Sequence, residues 1–195
     1  MSKGFCEKRL AFLPTLIFLF FCSCVSVTSE KRPYAYLTDR VKYVLLPPEG
    51  IEKPMDMVQY ISAEYVGQSF FTNAFVRADE TGIDIVLLNE LGASMGELSY
   101  RGDAVNFSSS VFPASLKPEY IVADFQFCFY DPLLLRQALK GSGLVLEIEG
   151  TARRIRDGKK LIMEIDKAND SVRLVNHLRG YTYIIEGNFL NEGNF

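Results

Sequence analysis

The chain has 195 residues, of which 48% are apolar and 23% charged, with a formal net charge of −3. These figures exclude a disordered or collagen-like chain and give the length of one domain. The slight acidity supplies no basic footprint for nucleic acid, so no nucleic-acid partner is expected.

At the N-terminus, Lys3, Lys8 and Arg9 precede an apolar run over residues 10–21, broken only by Pro14 and Thr15. A helix that crosses a bilayer needs about 20 residues, whereas the apolar core of a secretory signal has about 7–15. The run therefore reads as an export signal, and no later stretch is long and apolar enough to span. Cys24 follows the run directly behind the small Ser23, an arrangement that resembles the modified cysteine of bacterial lipoproteins. Cys22, behind the bulky Phe21, is the alternative site, and an ordinary signal peptide cut nearby is the alternative reading. The expected division is a signal peptide over 1–23, an acylated tether over 24–40 and a single β domain over 41–195. Val25 is not the aspartate that holds enterobacterial lipoproteins at the inner membrane, so the expected location is the outer membrane, facing the periplasm. One acyl chain anchors marginally and two or more anchor firmly. With Cys6 and Cys22 removed and Cys24 acylated, Cys128 stands alone, so stability must come from core burial rather than disulfides.

From Tyr43 onward the dominant period is two, the mark of half-buried strands. Residues 69–77 place Phe71 and Phe75 on one face, and residues 83–88 do the same for Ile83, Ile85 and Leu87. Residues 118–130 are ambiguous: Ile121, Ala123, Phe125 and Phe127 alternate as in a strand, while Pro118-Glu119 opens like a helix. Asp131, Pro132 and Gly141 bracket a leucine-rich helix as its cap, first residue and terminator. Residues 144–149 and 160–166 alternate again, with Leu146 and Met163 among their apolar positions. Turn chemistry at Asp79-Glu80-Thr81-Gly82, Arg101-Gly102-Asp103 and Asp157-Gly158 joins the strands. Eight to ten mostly antiparallel strands with one or two helices predict an α+β fold that is mainly β: a curved sheet or half-open barrel.

Few motifs promise chemistry. Gly92-Ala93-Ser94-Met95-Gly96 has the spacing of a hydrolase nucleophile elbow, which requires a strand before the serine and a helix after it. Strand-like sequence follows instead, so a serine esterase ranks third among the readings. His177, the only histidine, lies near a strand end and reads as a polar turn residue. Cys128 among Phe125, Phe127 and Phe129 reads as a buried thiol. Metal ligands do not cluster, and no cofactor or metal is expected. The basic group Arg153, Arg154, Arg156, Lys159 and Lys160 reads as a solvated hairpin, or as a contact for anionic headgroups. The aromatic load, 15 Phe and 10 Tyr without Trp, fits a β core or a concave apolar lining.

The strand of residues 83–88, the Asn89-Glu90-Leu91-Gly92 turn and the strand to Tyr100 resemble the corresponding strand–turn–strand of the LolB family of outer-membrane lipoprotein receptors. The wider pattern, with Asp124-Phe125-Gln126-Phe127, Tyr130-Asp131-Pro132 and Gly180-Tyr181, resembles an uncharacterised family of predicted bacterial lipoproteins encoded beside aryl-polyene biosynthesis genes. The LolB resemblance implies a half-open barrel closed by helices over a hydrophobic cavity. It also implies a transfer loop at Leu91, with Gly92 letting the turn project, and a periplasmic carrier protein as partner. Strand alternation nominates Phe71, Phe75, Ile85, Leu87, Leu98, Leu146 and Met163 as the lining. The leading expectation is a non-enzymatic lipoprotein that binds and hands over a lipid, a polyene lipid or an acylated protein. A structural lipoprotein that docks on an envelope complex through an edge strand is the second.

Overall fold

A computed structural model describes residues 32–187. The expected leader, with Cys6 and Cys22, and the expected acylation site Cys24 lie outside the described residues. A small hairpin, β1 (Tyr34–Tyr36) and β2 (Lys42–Val44), opens the described fold. Two five-strand meanders follow. The first comprises β3 (Met55–Tyr65), β4 (Gln68–Asp79), β5 (Gly82–Leu88), β6 (Ser94–Tyr100) and β7 (Val105–Ser109). The second comprises β8 (Leu144–Glu149), β9 (Ala152–Asp157), β10 (Lys160–Lys167), β11 (Ser171–Asn176) and β12 (Tyr181–Glu186). Pairing of β3 with β12 fuses them into one antiparallel sheet of ten strands, ordered β7-β6-β5-β4-β3-β12-β11-β10-β9-β8. The sheet is curved and open, not a closed barrel, as the alternation predicts. Bulges at Leu87/Leu88 and Leu161/Met163 sharpen its twist.

Two helices, α1 (Pro118–Phe129) and α2 (Pro132–Leu139), connect the edge strands β7 and β8. The ambiguous segment is thus a helix. Every residue from Val122 to Phe129 is buried, and a helix buried all round shows apolar residues on every face, which hides the helical period. α1 packs against β1, β7 and β11, and α2 against β8 and β2. Asp131 caps α2 by accepting from the Leu133 amide at 2.6 Å, with Pro132 in the first turn.

The folded domain begins before residue 41, the boundary that the sequence suggests. Ala35 and Leu37 are buried core residues, because β1 and β2 pair and cover α1. The β9–β10 loop is Gly158-Lys159 rather than Asp157-Gly158, since Asp157 pairs with Lys160. Gly158 supplies the left-handed φ of 56° that a II′ turn takes at its first central residue.

The buried polar groups on α1 find partners. Gln126 Oε1 accepts from the Tyr43 hydroxyl at 2.8 Å and the Leu46 amide at 3.0 Å, and its amide nitrogen donates to the Leu46 carbonyl. Arg153, 4% exposed, donates to the Phe127 and Tyr130 carbonyls at 2.9 and 2.8 Å and pairs with Glu52. A guanidinium there satisfies carbonyls that α1 leaves open and faces the negative end of its dipole. The basic group is therefore divided. Arg153 is structural, Arg154 and Arg156 pair with Glu149 and Glu147, and Lys159 and Lys160 sit at the β9–β10 turn.

Candidate functional site

The hairpin of β3 and β4 outruns its neighbour. β4 loses β5 after the Asn73–Leu88 pair, whereas β3 and β4 stay paired to Tyr65–Gln68. Residues 68–72 thus carry a free edge on one side, while β12 accompanies β3 to the tip on the other. The tip is Val66-Gly67, with φ of 51° and 71°. Positive φ at both central residues is the I′ geometry, which Asn-Gly or Gly-Gly adopts easily and a β-branched valine does not. Val66 is also 77% exposed. The chain therefore places an apolar, strained residue where a polar, relaxed one would serve folding better.

The turn over residues 89–93 stands at the same end of the sheet, because β5 runs back along β4 toward it. The Asn89 side chain accepts from the Leu91 and Ala93 amides at 3.0 and 2.8 Å, and Gly92 takes a φ of 78°. That scaffold holds Leu91 outward at 93% exposure.

Around these tips both faces of the sheet stay apolar and open. On the inner face Tyr65 pairs with Tyr181, Ala63 with Phe70 and Tyr183, and Ile61 with Ile185. Tyr65 and Phe70 are exposed, while Ile61, Tyr181, Tyr183 and Ile185 are half-buried. On the outer face Val58, Tyr60, Phe71 and Phe75 are exposed. A buried network ties the inner face to α1. The Tyr181 hydroxyl donates to Asp124 at 2.7 Å and accepts from the Asn176 amide at 3.0 Å. Burial raises the Asp124 carboxyl to about 7, against the Tyr181 hydrogen bond and the nearby Arg179 charge, which pull it down.

The nominated lining separates into three groups. Ile85, Leu98, Leu146 and Met163 point inward but are buried in the packed core. Leu87 points inward and is half-buried beside the open end. Phe71 and Phe75 belong to the opposite face, a correction to the lining. The inward residues of β4 are Ala74, Val76 and Ala78. The readable signal was Arg77, which shares a face with Phe71 and Phe75 and pairs with Asp56 in solvent. The same phase places Phe70 on the inner face, whereas Tyr183 joins that face only through the pairing of β12 with β3.

The motif residues do not converge. Ser94 opens β6 and its hydroxyl lies 3.2 Å from Glu97, whereas His177, just beyond β11, contacts Glu164 at 3.1 Å. Four strands separate β6 from β11, and Ser94 is followed by strand rather than helix. Cys128 is buried, and burial pushes its thiol up to about 12. Arg101 Nη2 donates to both carboxylate oxygens of Asp84. Among the described residues no group of three or more potential metal ligands occurs, and no helix is long and apolar enough to cross a membrane.

Residues 56–187, from the start of β3 to the end of β12, match the model of a family described as a protein of unknown function (DUF3261). No curated protein matches the chain. The chain belongs to the DUF3261 family.

Proposed function

We propose that this DUF3261 member is a lipid-anchored envelope protein that hands a hydrophobic ligand to a membrane through the projecting end of its sheet. The observation that carries the reading is that Leu91, Val66, Tyr65, Phe70 and Phe71 are all exposed toward one end of the sheet, with Leu91 at 93%. Apolar exposure at a projecting end is a feature of membrane and ligand contacts. The resemblance of the residue 83–100 hairpin to the LolB family, and the lipoprotein-like Cys24, support the same reading. In it Cys24 ties the protein to the outer membrane, Leu91 enters the bilayer surface, and the open inner face carries acyl chain on the way. Each buried methylene contributes about 0.8 kcal/mol, so a shallow, half-open face favours release over storage.

The experiment is transfer of a fluorescent phospholipid from donor to acceptor vesicles by the full chain. Saturable acceleration that Leu91→Glu abolishes, with an unchanged thermal midpoint, is the expected result. No acceleration by the wild-type chain overturns the reading.

One observation favours the structural-lipoprotein alternative: Ile85, Leu98, Leu146 and Met163 are packed rather than open. In that case the chain docks through an edge strand, and vesicle transfer is absent while pull-down of an envelope complex persists.

A further inference from the structure

The first half of α1, the strand β1 and the β11–β12 turn over residues 177–180 meet beside the open inner face, and Arg179 clasps them together. Its amide donates to the Asn176 side-chain oxygen at 2.9 Å. Its guanidinium donates to the Tyr36 carbonyl on β1 and lies 4.4 Å from the ring centroid of Tyr120 on α1. Asn176 in turn donates to the Tyr181 hydroxyl, and Tyr181 to Asp124, so one hydrogen-bonded chain runs from the turn through β12 into α1. Asp124 is 7% exposed, and no ion pair reaches it among the described residues. One hydroxyl does not offset the cost of a buried carboxylate, so this packing favours the neutral acid. Arg179 is the cation that acts on Asp124, but Tyr36 and Tyr120 hold its guanidinium elsewhere. An ionised Asp124 gains from either change that undoes the clasp: Arg179 swinging in to pair with it, or water entering between α1 and β12.

We infer that the Arg179 clasp is a gate on the inner face, closed over a neutral Asp124 and opened as Asp124 ionises. Opening parts the first half of α1 and β1 from the β11–β12 turn and uncovers Tyr181 and Tyr183, which extends the aromatic surface beside Tyr65. The closed seam holds the Asp124 proton more tightly than the open one, so closure is fullest below about pH 4 and weakens as pH rises toward 7. The other titratable groups around Asp124 keep their charge over that range. Burial holds the Tyr181 and Tyr183 hydroxyls well above the ordinary phenol value and pushes the Cys128 thiol up to about 12. Of the strands that pack on α1, β1 brings Tyr34 and Tyr36, β7 brings no titratable residue, and β11 brings Arg173, which lies 3.9 Å from Glu164. Histidine is the other side-chain type that changes charge near neutrality, so His177, two residues before Arg179, is the control position. The gate goes beyond the proposed transfer function and does not rest on it, because it is read without ligand or vesicle.

The test is amide hydrogen exchange of the full chain at pH 5 and pH 7, corrected for each amide's intrinsic rate and read by peptide mass spectrometry. With the carboxyl near 7 in the closed seam and about 4 in water, the opening constant should rise about tenfold or more between the two. The rise is expected in peptides covering residues 34–37 and 118–125, and not in those covering 74–78 and 83–87. Asp124→Asn should remove it, and His177→Gln should leave it intact. Arg179→Gln should speed exchange in the same peptides already at pH 5. Should Asp124→Asn fail to fold, the wild-type and His177→Gln profiles decide alone. Equal corrected exchange at both pH values, a rise shared evenly with residues 74–87, a response that survives Asp124→Asn or one lost with His177→Gln overturns the gate.

Discussion

At the end of the sheet where β9 begins, Arg153 is buried, bonded to two carbonyls at the end of α1 and paired with Glu52. At the other end Val66 takes a left-handed φ in full solvent, and Leu91 is held away from every core residue by the Asn89 side chain. The first region shows what this chain does where stability is at stake: buried polar groups are satisfied. The second spends strain and apolar exposure that folding does not require. An Asn-Gly tip would be relaxed and soluble, and a polar residue at 91 would leave the turn's hydrogen bonds intact. Stored strain and open apolar surface are the two features on which the proposed transfer function rests.

The contrast can be broken first at Arg153. Arg153→Ala removes charge-assisted hydrogen bonds to the Phe127 and Tyr130 carbonyls, each worth about 1.5–3 kcal/mol, and a loss of about 3 kcal/mol is expected in urea denaturation. A loss below 0.5 kcal/mol would show that α1 is not held there.

Asp124 links the two regions, because it sits on α1 and receives the hydroxyl of Tyr181 on the open inner face. Its folded-state carboxyl is raised by burial to about 7, above the ordinary aspartate value. The folded protein therefore holds this proton more tightly than the unfolded chain does. The stabilising contribution is complete below about pH 4 and fades as pH rises toward 7, with a steepest slope of about 1.4 kcal/mol per pH unit. Urea midpoints of wild type and Asp124→Asn, measured between pH 4.5 and 7.5, should differ by that dependence. Parallel curves would contradict it.

The smallest stability effect has the most informative sign. Val66→Asn relieves the left-handed valine and should raise stability by about 1 kcal/mol, while weakening association with vesicles in a flotation assay. Unchanged flotation would mean that the tip is merely tolerated.

Much of this fold is legible in the sequence. The alternation in β8 and β10, the Asp131-Pro132 start of α2 and the turns at residues 79–82 and 101–103 follow directly from residue chemistry. α1 is not, because complete burial erases its periodicity. The phase of β4 misleads for another reason. Its outward face carries Phe71 and Phe75, and aromatic residues on a strand read as core unless Arg77 is weighed with them. The open inner face is legible only after β12 is paired with β3, a contact across more than 110 residues of chain that no local pattern encodes. Leu91 is nominated by the resemblance to the LolB family rather than by local chemistry, and the structure adds the reason it is exposed: Asn89 and Gly92 fix the turn's backbone around it.

The chain has no tryptophan, so one introduced residue reports alone. Full-length chains carrying Leu91→Trp at the projecting end, or Glu80→Trp at the opposite end, can be reconstituted in vesicles containing brominated phospholipids. The account predicts strong quenching and a blue shift at position 91 and none at position 80. Equal quenching at both ends, or an unquenched tryptophan at 91, would contradict it.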